Sequence, residues 1–183
     1  MRKITAAFFM SLDGVVESPD KWHFPYFDDE MGAAIGSSMS QADALLMGRV
    51  NYQEWASYWP NQTGDETPFA DYMNNTPKFV VSTTLDTVEW RNSTLIKGNF
   101  RDEIINLKEQ PGGDITISGS ATLVRSLLHE GLLDELRVMV HPVVVGSGKR
   151  LFDDWSDQKA LALVNSQTFS TGVVDLSYQP ADQ

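Results

Sequence analysis

The sequence contains no cysteine. Disulfides, thiol nucleophiles and cysteine-based metal centres are thereby excluded. Only three histidines are present, His23, His129 and His141, and their separation matches no metal-ligand spacing. No metal is expected. No apolar run approaches the roughly 20 residues that a helix needs to cross a bilayer. The opening MRKITAAFFM sets two basic residues before an apolar stretch of about seven, the low end for a secretion signal, and no A-x-A site follows. It reads as a first strand, and the protein as cytoplasmic. Basic residues are scarce as well: 14 Lys and Arg stand against 25 Asp and Glu, a net charge of −11. A field of that sign repels nucleic acid and anionic membrane surfaces, so neither is an expected partner. An anionic small molecule fits only where backbone amides and a few cations outweigh the global charge.

What is present suits one domain spanning 1–183, long enough to bury a single core. Segments 3–10, 43–48, 78–83, 93–98 and 114–118 read as strands; 28–41, 49–59, 100–110 and about 120–130 read as helices. Asp28, Asp29 and Glu30 suit the positive end of their helix dipole, and Gly131 is a predicted C-cap. Residues 61–68 read as a loop. From Leu133 the texture changes: 134–148, 161–170 and 173–179 are strand-like, with Thr171-Gly172 as a hairpin turn. The pattern predicts a three-layer α/β/α sandwich whose mixed, mainly parallel sheet ends in antiparallel C-terminal strands.

Three strand-to-helix junctions are small, hydroxylated or cationic. In ITISGSATL, the residues Ser118, Gly119, Ser120, Ala121 and Thr122 let a ligand approach the backbone where a helix offers free N–H groups. The plain alternative is a turn capped by Ser120 or Thr122. Gly48 and Arg49 combine close approach with a fork-shaped phosphate donor; alone they read as a helix start. Ser82 and Thr83 follow the strand KFVV and alone read as a turn. Together the junctions are what an extended nucleotide lying across the strand ends requires.

The segment 11–30, SLDGVVESPDKWHFPYFDDE, is long for a strand-to-helix connection, and long loops carry function. Asp13 is its candidate proton donor, and the aromatics, Trp22 and Phe27 among them, a candidate substrate wall. The equal alternative is a lid packed down by its own aromatics. In HPVVVGSGKRLF (141–152), Gly146 to Gly148 read as a bend at a sheet edge rather than a second phosphate loop.

The combination of FFMSLDGVV, LLMGRVNYQEW, KFVVSTTL and ITISGSATLVRSLLHEGLLDELRVMVHPVVVGSGKRLF resembles the dihydrofolate reductase-like superfamily. Within it the chain is most similar to stand-alone relatives of the C-terminal reductase domain of the bifunctional riboflavin-biosynthesis deaminase-reductase. The resemblance implies an eight-stranded sheet, an NADPH cleft across it, and hydride transfer to a small pterin-, pyrimidine- or carbonyl-type substrate. It implies cofactor contacts from Leu12 and Gly14 near the nicotinamide, from Gly48, Arg49, Ser82 and Thr83 near the phosphates, and from Ser118 to Thr122 under the pyrophosphate. It places a substrate acid among Asp28, Asp29 and Glu30, with Glu30 taken as the second catalytic candidate, and implies a homodimer through the C-terminal strands. Asn51 stands where dihydrofolate reductases commonly carry threonine, and Ser118-Gly119 where a Gly-Gly pair is usual. No deaminase half with zinc cysteines is present. Beside the reductase, two other functions fit the residues: a nucleotide-binding protein without turnover, and a homo-oligomeric structural domain.

Overall fold

The computed structural model describes residues 1–63 and 67–181. Strand and helix alternate through β1 (Ile4–Ser11), α1 (Asp29–Gln41), β2 (Ala42–Gly48), α2 (Arg49–Tyr58), α3 (Thr67–Asn75), β3 (Lys78–Val81), β4 (Ser93–Ile96), α4 (Phe100–Glu109), β5 (Asp114–Ser118), α5 (Ala121–Glu130) and β6 (Glu135–His141). A hairpin of β7 (Leu161–Thr168) and β8 (Val174–Pro180) closes the fold. The eight strands form one sheet in the order β4-β3-β2-β5-β1-β6-β8-β7. Neighbours from β4 to β6 run parallel. Strand β8 is antiparallel to both β6 and β7. The expected sandwich with its mixed sheet is the one observed.

Strand β2 is apolar on both faces because helices cover both, whereas β1 and β5 are apolar chiefly on the face under α4 and α5. Ile4, Ala6 and Phe8 of β1, Ala44 and Leu46 of β2, and Ile115 and Ile117 of β5 pack with Ile104 and Leu107 of α4 and Val124 and Leu127 of α5. The opposite face is divided. Leu45, Met47 and Val80 pack under Tyr52 of α2 and Met73 of α3. Met139, Phe169 and Val173 pack under Met31 of α1. Between these two clusters the sheet shows the register pairs Thr5–Thr116 and Ala7–Ser118, none of them buried. The space between α1 and α2 is therefore a cleft with a floor of small residues.

Helix ends follow local chemistry. Asp28 caps α1 by accepting from the Met31 N–H at 2.8 Å. Gly131 ends α5 at φ 67°, where its N–H bonds back to Leu127 and Leu128; a side chain there would be strained.

Two expectations are corrected. Helix α3 begins within the stretch 61–68 read as a loop, of which residues 64–66 lie outside the described residues. Pro68 looks like loop punctuation but is tolerated in a first helical turn. The strand-like run 134–148 ends as a strand at His141. Pro142 has no N–H to continue the ladder, and Val143 turns back onto the His141 carbonyl at 2.8 Å.

Candidate functional site

Because β3, β2, β5 and β1 are neighbours and parallel, their C-terminal ends share one rim of the sheet. That rim gathers Ser82-Thr83, Gly48-Arg49, Ser118 to Thr122, and Leu12 to Gly14. Ser120 takes the left-handed conformation (φ 57°, ψ 50°) and its side chain does not cap its own helix. Instead its Oγ accepts from the Gly48 N–H at 3.0 Å. No side chain caps α2 either. Two helix N-termini, each with unsatisfied N–H groups and a positive dipole end, thus lie side by side.

Asn51 joins the same two junctions. With its amide oriented as its neighbours require, the nitrogen donates to the Ser118 carbonyl (3.0 Å) and to Ser120 Oγ (3.3 Å), and the oxygen accepts from Trp55 Nε1 (3.2 Å). Gly119 lies at φ 78°, with room for a Cβ only 3.2 Å from that amide. Asn51 was legible only as a departure from threonine; its bridging role needs the fold. Arg49 is exposed and its Nη1 donates to Gln53 Oε1 at 2.9 Å. The buried Ser82 hydroxyl accepts from the N–H groups of Thr84 (3.2 Å) and Leu85 (3.0 Å), the bonding of a turn. Thr83 is exposed beside it, and Thr122 accepts from Arg125 at 3.2 Å.

Asp13 sits at the β1 end of the rim and is heavily bonded. One oxygen accepts from Ser11 Oγ (2.7 Å) and the Val145 N–H (3.0 Å), the other from the Gly146 N–H (2.9 Å). Arg150 adds an ion pair at 3.6 Å. The hydrogen bond from Ser11, then those from Val145 and Gly146, hold its carboxyl down at about 2. A group so held is a carboxylate at neutral pH, which suits fastening the first loop to residues 145–150 and not donating a proton. Glu30 faces away from the cleft: its Oε2 accepts from the Ser170 N–H at 2.7 Å, tying α1 to the β7–β8 turn. A groove of about 420 Å³ on that side holds Glu30, Arg137, Asn165, Gln167 and Asp175, but its one cation, Arg137, already donates to Asp175 at 2.8 Å.

The loop 12–28 folds over the other end of the cleft through two short 3-10 turns, Pro19–Lys21 and Phe24–Tyr26. His23 stacks on Phe9 at 4.5 Å and 12°. His141 meets Phe9, Trp22 and Tyr26 edge-on at 5.3–5.8 Å. Phe27 lies at the rim of this cluster, half exposed, 6.2 Å from His23. Trp22 and Phe27 border the same cluster, Trp22 against His141 and Phe27 against His23, and the sequence reading did not single out its members Phe9 and His141.

Residues 2–174 match the RibD C-terminal domain family. The chain belongs to that family. A curated relative, the Bacillus subtilis (strain 168) uncharacterized protein YyaP, is 33% identical over 97% of this chain and 94% of its own. The RibD-type fold recurs in the Thermotoga maritima diaminohydroxyphosphoribosylaminopyrimidine deaminase/5-amino-6-(5-phosphoribosylamino)uracil reductase, at TM-score 0.69 and 15% identity over 98% of this chain and 57% of that one. It recurs also in Enterococcus faecalis dihydrofolate reductase complexed with NADP(H), at TM-score 0.63 and 16% identity over 98% and 97%. Among the described residues of this RibD-type chain, no group of three or more His, Asp or Glu is placed to hold a metal. No helix among them is long and apolar enough to cross a membrane.

Proposed function

We propose that the protein is an NADPH-dependent reductase acting on a small pterin-, pyrimidine- or carbonyl-type substrate. The observation that carries this is the pair of uncapped helix N-termini held together by the Ser120–Gly48 hydrogen bond. Backbone N–H groups converging from two helices suit a pyrophosphate, and the small residues of the rim keep side chains out of its way. Arg49, exposed at the start of α2, is the cation for a 2′-phosphate. Leu12 and Gly14 lie where the nicotinamide end would reach β1. The cofactor supplies the hydride; the chain positions the two reactants over Thr5, Ala7, Thr116 and Ser118 and covers them with the aromatic loop. Asp13 acts by fixing that loop, and the proton comes from water.

Titration with NADPH and NADH, following quenching of the five tryptophans and energy transfer to the nicotinamide, tests this reading. Micromolar NADPH binding that Arg49→Ala weakens about tenfold, with NADH little changed, is the expected result. No binding of either nucleotide overturns it. A second reading, nucleotide binding without turnover, is favoured by His23, whose ring fills the space over Phe9. NADPH consumption with any of the three substrate types removes that reading.

The same proposal includes a homodimer through the C-terminal strands. Edge strand β7 is exposed on both faces, with Leu163 at 54% and Val164 at 49%. A two-sided exposed edge is normally paired or covered. Light scattering that gives a monomer at micromolar concentration overturns the dimer.

A further inference from the structure

The aromatic loop contains a contradiction. His141 is fully buried and His23 nearly so, yet His23 Nδ1 and His141 Nε2 have no hydrogen-bond partner among the described residues. The other nitrogen of His141, Nδ1, lies 2.8 Å from the Met139 carbonyl and donates to it, which leaves Nε2 an acceptor in a ring packed among other rings. Those rings are Phe9, Trp22, His23 and Tyr26. Buried acceptors are normally satisfied, and leaving one bare opposes closure.

The loop is also held lightly. Among the described residues, every hydrogen bond of the stretch 19–27 closes within 17–27. Lys21, Trp22, His23, Tyr26 and Phe27 donate their N–H groups to carbonyls of 18–24, and Trp22 Nε1 donates to the Glu17 carbonyl. Ring contacts, and the packing of Tyr26 against the cluster of Met31, Met139, Phe169 and Val173, fasten the stretch to the fold. A segment fastened in this way opens locally without breaking the fold.

We propose that the space His23 fills is the subsite for a planar nitrogen heterocycle, which stacks on Phe9 and donates a ring N–H to His141 Nε2 once the stretch 18–27 swings out. His23 is the occupant in the closed form, an imidazole stacked nearly parallel to Phe9. A ligand ring would keep that stacking and add the hydrogen bond that His23 does not make to His141. Burial holds both imidazoles below the ordinary histidine value, so Nε2 is an acceptor at neutral pH. The closed loop competes with the ligand and lowers its apparent affinity. The inference rests on the reading above in taking this end of the cleft as the substrate end.

The probe is 5-aminouracil, a planar ring with N–H donors, added to the full chain without nucleotide. His23→Ala, which removes the ring that fills the space over Phe9, is expected to bind it about tenfold tighter than the natural protein. In the natural protein labelled with ¹⁵N-histidine, the His141 Nε2 resonance is expected to move toward that of a hydrogen-bonded acceptor as 5-aminouracil saturates. His141→Phe, which keeps a ring and removes the nitrogen, is expected to abolish the gain from His23→Ala. Affinity unchanged by His23→Ala in a folded variant, or a His141 resonance that stays still at saturation, overturns the proposal. NADPH titration of the same samples separates the two readings. Tighter 5-aminouracil binding without NADPH binding leaves the subsite standing and sinks the reductase; the reverse sinks the subsite alone.

Discussion

The hydroxyl of Ser120 accepts a hydrogen bond from the backbone N–H of Gly48, 72 residues earlier, at 3.0 Å. It fixes the separation of two helix N-termini that share no sequence neighbourhood. Ser120→Ala removes that bond and leaves both N-termini uncapped. NADPH binding is expected to weaken about fivefold, on the order of 1 kcal/mol, with little change in NADPH-to-NADH preference; the nucleotide titration measures both.

The order of elements was legible because strands and helices differ in period and because small residues and caps mark their ends. Asp28, Gly131 and the Thr171-Gly172 turn all fall where side-chain and backbone chemistry put them. Helix α3 was not legible, since Pro68 signals a turn and a first helical turn equally well. The rim residues were legible one junction at a time, but their union depends on β3, β2, β5 and β1 being neighbours, which no local pattern states. Asp13 shows the limit most plainly. An acid in a functional loop suggests a proton donor, and only the N–H groups of Val145 and Gly146, 132 and 133 residues away, show it to be a fastening.

Asp13 also sets an acid limit. Its folded value, about 2, lies below the ordinary 3.8. The stability it contributes is complete above about 4 and is lost as pH falls toward 2. Asp28, lowered chiefly by the Met31 N–H, acts in the same direction. Chemical denaturation at a series of pH values is expected to show Asp13→Asn losing less stability than the natural protein between pH 4 and pH 2.

The two buried histidines act higher on the scale. Burial lowers both; at His23 the neighbouring His141 adds to it and Asp20 partly compensates, while at His141 the Met139 and Met10 carbonyls partly offset it. The unfolded chain binds protons more readily than the folded one below the ordinary value of 6.5, so stability falls as pH drops through it. His141→Phe is expected to flatten that part of the pH profile, as read by urea melts.

Lys78 is a structural cation. It is fully buried, its Nζ donates to the carbonyls of Met73, Asn74 and Thr76, and it lies 4.4 Å from the centre of the Trp90 ring. Lys78→Met removes the Nζ donor from the Met73 and Thr76 carbonyls, while the Asn74 carbonyl keeps Arg91 Nε at 3.1 Å, and is expected to cost about 2–4 kcal/mol of stability. Burial, aided by Arg91, pushes the ammonium from 10.5 down to about 8. Between pH 8 and 10.5 the unfolded chain holds the proton and the folded one releases it, so stability from this group rises with pH there. Thermal melts at pH 7 and pH 10 are expected to show that rise in the natural protein and not in Lys78→Met.

At the edge strand, Val164→Lys is expected to shift the proposed dimer to monomer while the melting temperature of the monomer changes little. Charges on an edge strand discourage pairing at small cost to the fold. Light scattering and sedimentation read the result.

The stretch 19–27 closes its hydrogen bonds on itself and on Ser18 and Glu17. It therefore behaves as a cassette. Another segment of similar reach, with different rings, would plug into Phe9 and His141 without orphaning a single amide of the frame. The small-residue junctions of the rim and the aromatic stretch are separately replaceable, so one scaffold admits a different set of rings over Phe9 by rewriting nine consecutive residues.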